Sequence, residues 1–179
     1  MNRDTADLTD RELWTGEFYL LAMAFGRLDD DELAAVAAAI AERAGLRTPK
    51  RGGRWGYVAR LPSGRRVVCR VDSGRENDGC YATLYFPAEA LTLADRRVRK
   101  AFLDPHGAAD DYVAGWFRAL DDWLASVAMR VHEAWPMRGG RIGWEVTAED
   151  LVVTGKPPAV RGHALLVVRD GSLEYLPAT

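Results

Sequence analysis

Residues 55–86, WGYVARLPSGRRVVCRVDSGRENDGCYATLYF, decide the fold, because their apolar side chains recur with a period of two. Pro62, Ser63 and Gly64 separate WGYVARL from RRVVCRV and form a three-residue hairpin connection, with Gly64 placed for a positive φ. If Leu61 pairs with Arg65, Arg60 faces Arg66 and Val58 faces Val68. A polar loop over Asp72–Gly79 then leads to a third strand, CYATLYF. On the second and third strands Val67, Cys69, Val71, Cys80, Ala82, Leu84 and Phe86 share an apolar face. The opposite face carries Arg66, Arg70, Tyr81, Thr83 and Tyr85.

Upstream, Phe18 and Tyr19 favour a strand over residues 17–25, although Thr9 and Glu12 have the spacing of a helix capping box. Tyr19, Leu21, Met23 and Phe25 fall on one side and Phe18, Leu20, Ala22 and Ala24 on the other, so this strand is expected at the centre of a sheet covered on both faces. Asp29–Glu32 supply a cap and first-turn acids, Leu33, Val36, Ala37, Ile40 and Ala44 recur at helical spacing, and Gly45 stops a helix over 31–44. Residues 46–54, LRTPKRGGR, read as a basic loop.

Downstream, Pro87 ends the meander and residues 88–103 read as a short helix with an Arg/Lys cluster. A long amphipathic helix follows over about 109–135, with Val113, Phe117, Leu120, Leu124, Val127 and Val131 on its stripe and Pro136 beyond it. Arg141–Val146 is a predicted strand, and Thr147 with Asp150 caps a turn of helix. His163–Arg169 turns at Asp170 and Gly171 into Leu173–Leu176. This order predicts an α+β fold: a mostly antiparallel sheet of about six to seven strands, with two main helices packed on one face. Residues 1–10 are expected to fray and 11–179 to form a single domain.

A chain of 179 residues that is 48% hydrophobic should bury roughly 70% of the surface it exposes unfolded, which excludes disorder for most of it. No apolar run reaches the roughly 18–20 residues a bilayer span needs, and Met1–Asp4 lack a signal-peptide pattern, so a cytoplasmic location without a membrane is expected. Charge is segregated within a net −2. Residues 1–42 hold ten acids against three bases, and residues 43–70 hold nine bases and no acid.

At Trp14, Gly16, Phe18, Tyr19, Leu21 and Ala22 the sequence resembles the motif W-x-G-G-F/Y-Y-E-L-A of an uncharacterised family of small bacterial proteins. The stretches YATLYFPAEAL, LDDWLASVAMRVHEAWP and RIGWEV occupy similar places in that family, so the likeness covers most of residues 14–150. The chain departs from the motif at Glu17, where the family has a second Gly, and at Leu20, where it has Glu. The resemblance implies one domain and a strand over 17–25, and it brings no activity and no catalytic residue.

Gly139, Gly140 and Gly143 match no phosphate-cradling spacing and read as a turn before a strand. His106, His132 and His163 lie far apart in sequence, and no Ser stands in a nucleophile elbow. Cys69 and Cys80 read as small buried hydrophobes that face each other across the hairpin as free thiols. Asp121 and Asp122 read as a solvated helix face, and Glu145 with Glu149 as an acid–base pair only if a turn brings them together. No cofactor or metal is expected.

What remains is electrostatic. Arg47, Lys50, Arg51 and Arg54 in the loop, with Arg60, Arg66 and Arg70 beside Tyr81 and Tyr85, predict a basic surface with aromatic platforms. Arg51, Arg54, Arg66, Arg70, Tyr81 and Tyr85 are the candidate binding residues. The expectation is a non-enzymatic macromolecular interaction module, adaptor- or immunity-like, with another protein as partner and Trp116 or Trp123 as aromatic anchor. Weak single-stranded nucleic-acid binding by the basic face is the alternative, and a net charge of −2 weighs against it. A third reading is an enzyme acting on a small acidic substrate with His106 or His132 as base.

Overall fold

Asp29 and Glu32 close a capping box, each carboxylate accepting from the other residue's N–H at 2.8 Å, and this starts α1 (Asp30–Arg43). Gly45, at φ 61°, ends it. The computed structural model describes residues 5–48, 56–76, 79–99, 111–146, 151–152 and 157–179. Lys50, Arg51, Arg54, Trp55, Lys100, His106 and the expected turn over Thr147–Asp150, with Glu149, lie outside the described residues.

Among the described residues seven antiparallel strands form one sheet: β1 (Phe18–Phe25), β2 (Tyr57–Arg60), β3 (Arg66–Glu76), β4 (Gly79–Pro87), β5 (Met137–Trp144), β6 (Ala164–Arg169) and β7 (Ser172–Leu176). Their order is β2-β3-β4-β1-β5-β6-β7, so β1 is central as its two apolar sides required. Among the described residues the other helices are α2 (Ala88–Ala94) and α3 (Asp111–His132), with 3-10 turns at Arg11–Trp14 and Arg96–Val98. The result is the α+β architecture expected, with α1 and α3 on one face of the sheet. Among the described residues no helix is long and apolar enough to cross a membrane.

The main core lies between that helical layer and the sheet. Val36 and Ile40 of α1 and Leu124, Val127 and Val131 of α3 are fully buried against Leu21, Met23, Val67, Cys69, Leu84 and Phe86. Each such side chain contributes about 1.5–3 kcal/mol on leaving water. The second face is covered in pieces. Leu13 and Ala90, from the first 3-10 turn and α2, bury Val68, while Leu151 closes over Leu20 and Ala22.

The hairpin register is the one read from the turn: Arg60 faces Arg66, Val58 faces Val68, and Gly64 takes φ 81°. Several expectations change. The polar stretch Asp72–Gly79 is not a loop, since β3 continues to Glu76 and pairs with β4 up to Glu76–Gly79. Gly139, Gly140 and Gly143 lie inside β5 rather than in a turn before it, and a Cβ on Gly140 would come within 2.6 Å of the Ala22 carbonyl. Cys69 sits across from Tyr57, and Cys80 across from Phe25 and Arg75, so the two thiols do not face each other. Asp121 is buried, not solvated.

Residues 5–10 carry hydrogen bonds to β3 and to the turn that follows them. The Thr5 carbonyl accepts from Val68 N–H at 2.8 Å, and Thr5 Oγ1 donates to the Arg66 carbonyl at 2.6 Å. Asp10, rather than Thr9, caps the following turn by accepting from Glu12 N–H at 3.1 Å.

Candidate functional site

β2 has four residues and sits at the sheet's end, and among the described residues its outer side is closed by a bridge in which Arg47 and Val58 exchange hydrogen bonds of 3.0 and 2.9 Å. Residues directly opposite on neighbouring strands project to the same face, so Arg60 and Arg66 stand side by side and Arg47 follows Val58 onto that face. Arg65, at the end of the hairpin turn, adds a fourth guanidinium. These four line a groove of about 1020 Å³ together with Thr48 and Val58. All four arginines are exposed, and no acid lines the groove among the described residues. None of their side chains makes an ion pair there with a described carboxylate.

The six candidate binding residues do not form one surface. Arg66 is in the groove, and Arg51 and Arg54 lie outside the described residues. Arg70 is separated from Arg66 along β3 by Val68, which Leu13 and Ala90 cover. It donates through Nε and Nη2 to Asp72 Oδ1 at 3.1 and 2.9 Å, and its guanidinium lies 5.9 Å from the Tyr85 ring centre. Tyr85 in turn donates to Asp72 Oδ2 at 3.1 Å, and burial first, then the Asp72 charge, pushes its hydroxyl up to about 12. Tyr81 is half-buried against Leu20, Ala22 and Leu151. Arg70, Asp72 and Tyr85 are thus a locally neutralised network rather than a stacking platform, and Tyr81 stands outside it.

A second groove begins on the other side of the same turn. Leu61, Pro62 and Ser63 face Tyr112, Gly115 and Trp116 of α3 across about 420 Å³, with mostly apolar walls. Trp116 is half-buried there and packs edge-on against Phe117 with ring centres 5.1 Å apart, which holds its orientation. Tyr112 is fixed by Asp95, to which it donates, and by the Arg97 guanidinium 3.8 Å above its ring. Asp95 is drawn down to about 2, chiefly by its hydrogen bond from Arg97.

The histidines within the described residues serve the backbone. His132 Nδ1 accepts from Met137 N–H at 3.0 Å, which makes Nε2 the donor toward the Gly171 carbonyl at 3.0 Å. His163 Nε2 meets the Trp144 carbonyl at 3.0 Å. Glu145 Oε1 accepts from Phe18 N–H at 2.6 Å and secures the start of β1. Chemically, the β2 groove offers forked donors for carboxylate or phosphate oxygens and no described base or thiol. No protein-family model, curated protein or solved structure matches this sequence, so the geometry of these grooves carries the functional reading.

Proposed function

We propose that the chain is a non-enzymatic interaction module, adaptor- or immunity-like, whose β2 groove receives an acidic segment of a protein partner. The observation that carries this reading is the Arg60–Arg66 pair. Like charges directly opposite on an antiparallel pair are destabilising, and here two further arginines adjoin them without a described acid in the groove. Local choices that cost stability are expected where a surface serves a ligand. An acidic segment supplies the missing carboxylates, and guanidinium forks bind these in pairs.

The Trp116 groove supports a protein rather than a nucleic acid as partner. It shares the Leu61–Gly64 turn with the basic groove, so one ligand segment can set carboxylates on one side of the turn and an apolar side chain on the other. A charged rim beside an aromatic anchor is the composition of protein interfaces. The two buried free thiols fit work in a reducing cytoplasm.

Fluorescence anisotropy with a labelled poly-glutamate peptide carrying a central leucine, and separately with an oligo-dT strand, tests the proposal. The expected result is peptide binding that weakens with salt and falls at least about tenfold in R60E/R66E. Binding of oligo-dT in preference to the peptide, with a steep salt slope, would replace the protein partner with a nucleic acid. Binding of neither probe, or peptide binding indifferent to R60E/R66E, would overturn the proposal.

A further inference from the structure

Arg141 stands on β5 between Gly139 and Gly143, which share its side of the strand, with Ala22 and Leu165 opposite it on the flanking strands. Its neighbours along and across the sheet are therefore small or apolar. Its Nε is buried and finds no hydrogen-bond acceptor among the described residues. That nitrogen loses hydration without gaining an acceptor, while the rest of the half-buried side chain reaches the surface.

Two further cationic or ionisable groups close on the same space. Arg141, Arg161 and His163 line a hollow of about 330 Å³ with Val152, Val160 and Leu165, and no acid lines it among the described residues. Arg161 is locked in place by carbonyls: Nε donates to Pro177 at 3.0 Å and Nη1 to Pro158 at 2.9 Å. Carbonyl dipoles orient this guanidinium, and no described carboxylate forms an ion pair with it. His163 lies directly over Gly143, where any Cβ would collide with its ring, and its Nε2 meets the Trp144 carbonyl. Glycine at 143 is thus what admits the imidazole.

From this convergence we infer that the Arg141 pocket binds a small organic oxyanion, a carboxylate or phosphate on a short apolar body. The Nη atoms of the Arg141 guanidinium provide a fork for two oxygens, Arg161 adds charge, and Val152, Val160 and Leu165 accept the body. The volume admits a small molecule and not a polymer. These residues are separate from the β2 groove, so the site stands or falls independently of the partner proposed there.

The test uses the full chain with 15N-labelled arginine, titrated at constant ionic strength with inorganic phosphate in one series and butyrate in another. The Arg141 Nε–Hε resonance, assigned by its loss in R141K, is expected to move saturably with at least one anion, and the thermal midpoint to rise with it. Response to phosphate alone, to butyrate alone or to both identifies the oxyanion class. In R141M the midpoint rise is expected to disappear, with apparent affinity falling at least about tenfold. A resonance unmoved by either anion, or an equal midpoint rise in R141M, would overturn the assignment. Should R141M fail to fold, the wild-type resonance titration decides alone.

Discussion

The Tyr19 hydroxyl donates to the Asp121 carboxylate in a buried contact that joins β1 to α3 across 102 residues of sequence. Both side chains are nearly inaccessible, at 4% and 6% exposure, so neither has water as an alternative partner. Around them stand Phe117 and Trp144, whose rings lie 5.3 and 5.0 Å from that of Tyr19. Tyr19→Phe keeps the ring packing and removes the donor. It is expected to destabilise the protein by about 1–3 kcal/mol, the cost of an unsatisfied buried carboxylate, read as a lower urea midpoint at unchanged m-value. In Asp121→Asn the same Tyr19→Phe change should cost less, and equal costs in both backgrounds would show that the contact is energetically idle.

Asp121 also makes stability depend on pH. Burial, the largest cause, raises it from an ordinary 3.8 to about 6; the Tyr19 hydrogen bond and Arg118 pull it down, and Asp122 pushes it further up. The Tyr175 hydroxyl on β7 is raised as well, by burial first and then by Asp121. Between about pH 4 and 6 the folded chain therefore holds a proton at Asp121 that the unfolded chain has released. The associated stability is present below about pH 4 and is lost as pH rises through 6, by an amount on the order of 2–3 kcal/mol. Asp95, drawn down to about 2, acts in the opposite sense and only below this window. Urea unfolding at several pH values from 4 to 7 should show that decline in wild type and a flatter curve in Asp121→Asn; superimposable curves would refute it.

Cys69 and Cys80 are 0% and 4% exposed, and burial pushes the Cys69 thiol well above the ordinary range. Thiolate is the reactive form, so native protein should leave Ellman's reagent unreduced over the time in which urea-unfolded protein consumes two equivalents. Their register partners, Tyr57 for one and Phe25 and Arg75 for the other, also keep them from bridging. Loss of both thiols to an intramolecular disulfide in the folded state would contradict that register.

Legibility in the sequence followed the range of the determining interactions. Pro62-Ser63-Gly64 fixes a turn within a few residues, so the Arg60–Arg66 and Val58–Val68 pairings could be read directly. Asp29 and Glu32 likewise announce α1 from within it. Asp121 could not be read this way, because what buries it is Tyr19 on another element, while its neighbour Asp122 does face solvent. Glycines in β5 look like turn residues until Ala22 is known to pass beside Gly140. The polar stretch Asp72–Gly79 suggests a loop, yet β3 continues to Glu76, and Asp72 bonds there to Arg70 and Tyr85. The candidate site was half visible for the same reason: Arg66 and Arg60 are set by a local turn, whereas Arg70 and the tyrosines are cut off from them by Leu13 and Ala90 closing on Val68.

Arg66→Glu separates the two explanations of the basic groove. If the arginines merely solvate the sheet edge, the change has no bearing on a ligand and its effect is confined to stability. It replaces a like-charge cross-strand pair with a carboxylate opposite Arg60, which is expected to stabilise the chain by about 0.2–1 kcal/mol in low salt and less in high salt. If the groove receives carboxylates, the same change places an anion where the ligand's should lie, and affinity for the poly-glutamate probe should fall while the urea midpoint rises. Stability and binding moving in opposite directions from one substitution is the signature of a charge pair kept for a partner at the fold's expense. A variant that gains stability and binds the probe as well as wild type would reduce Arg60 and Arg66 to surface.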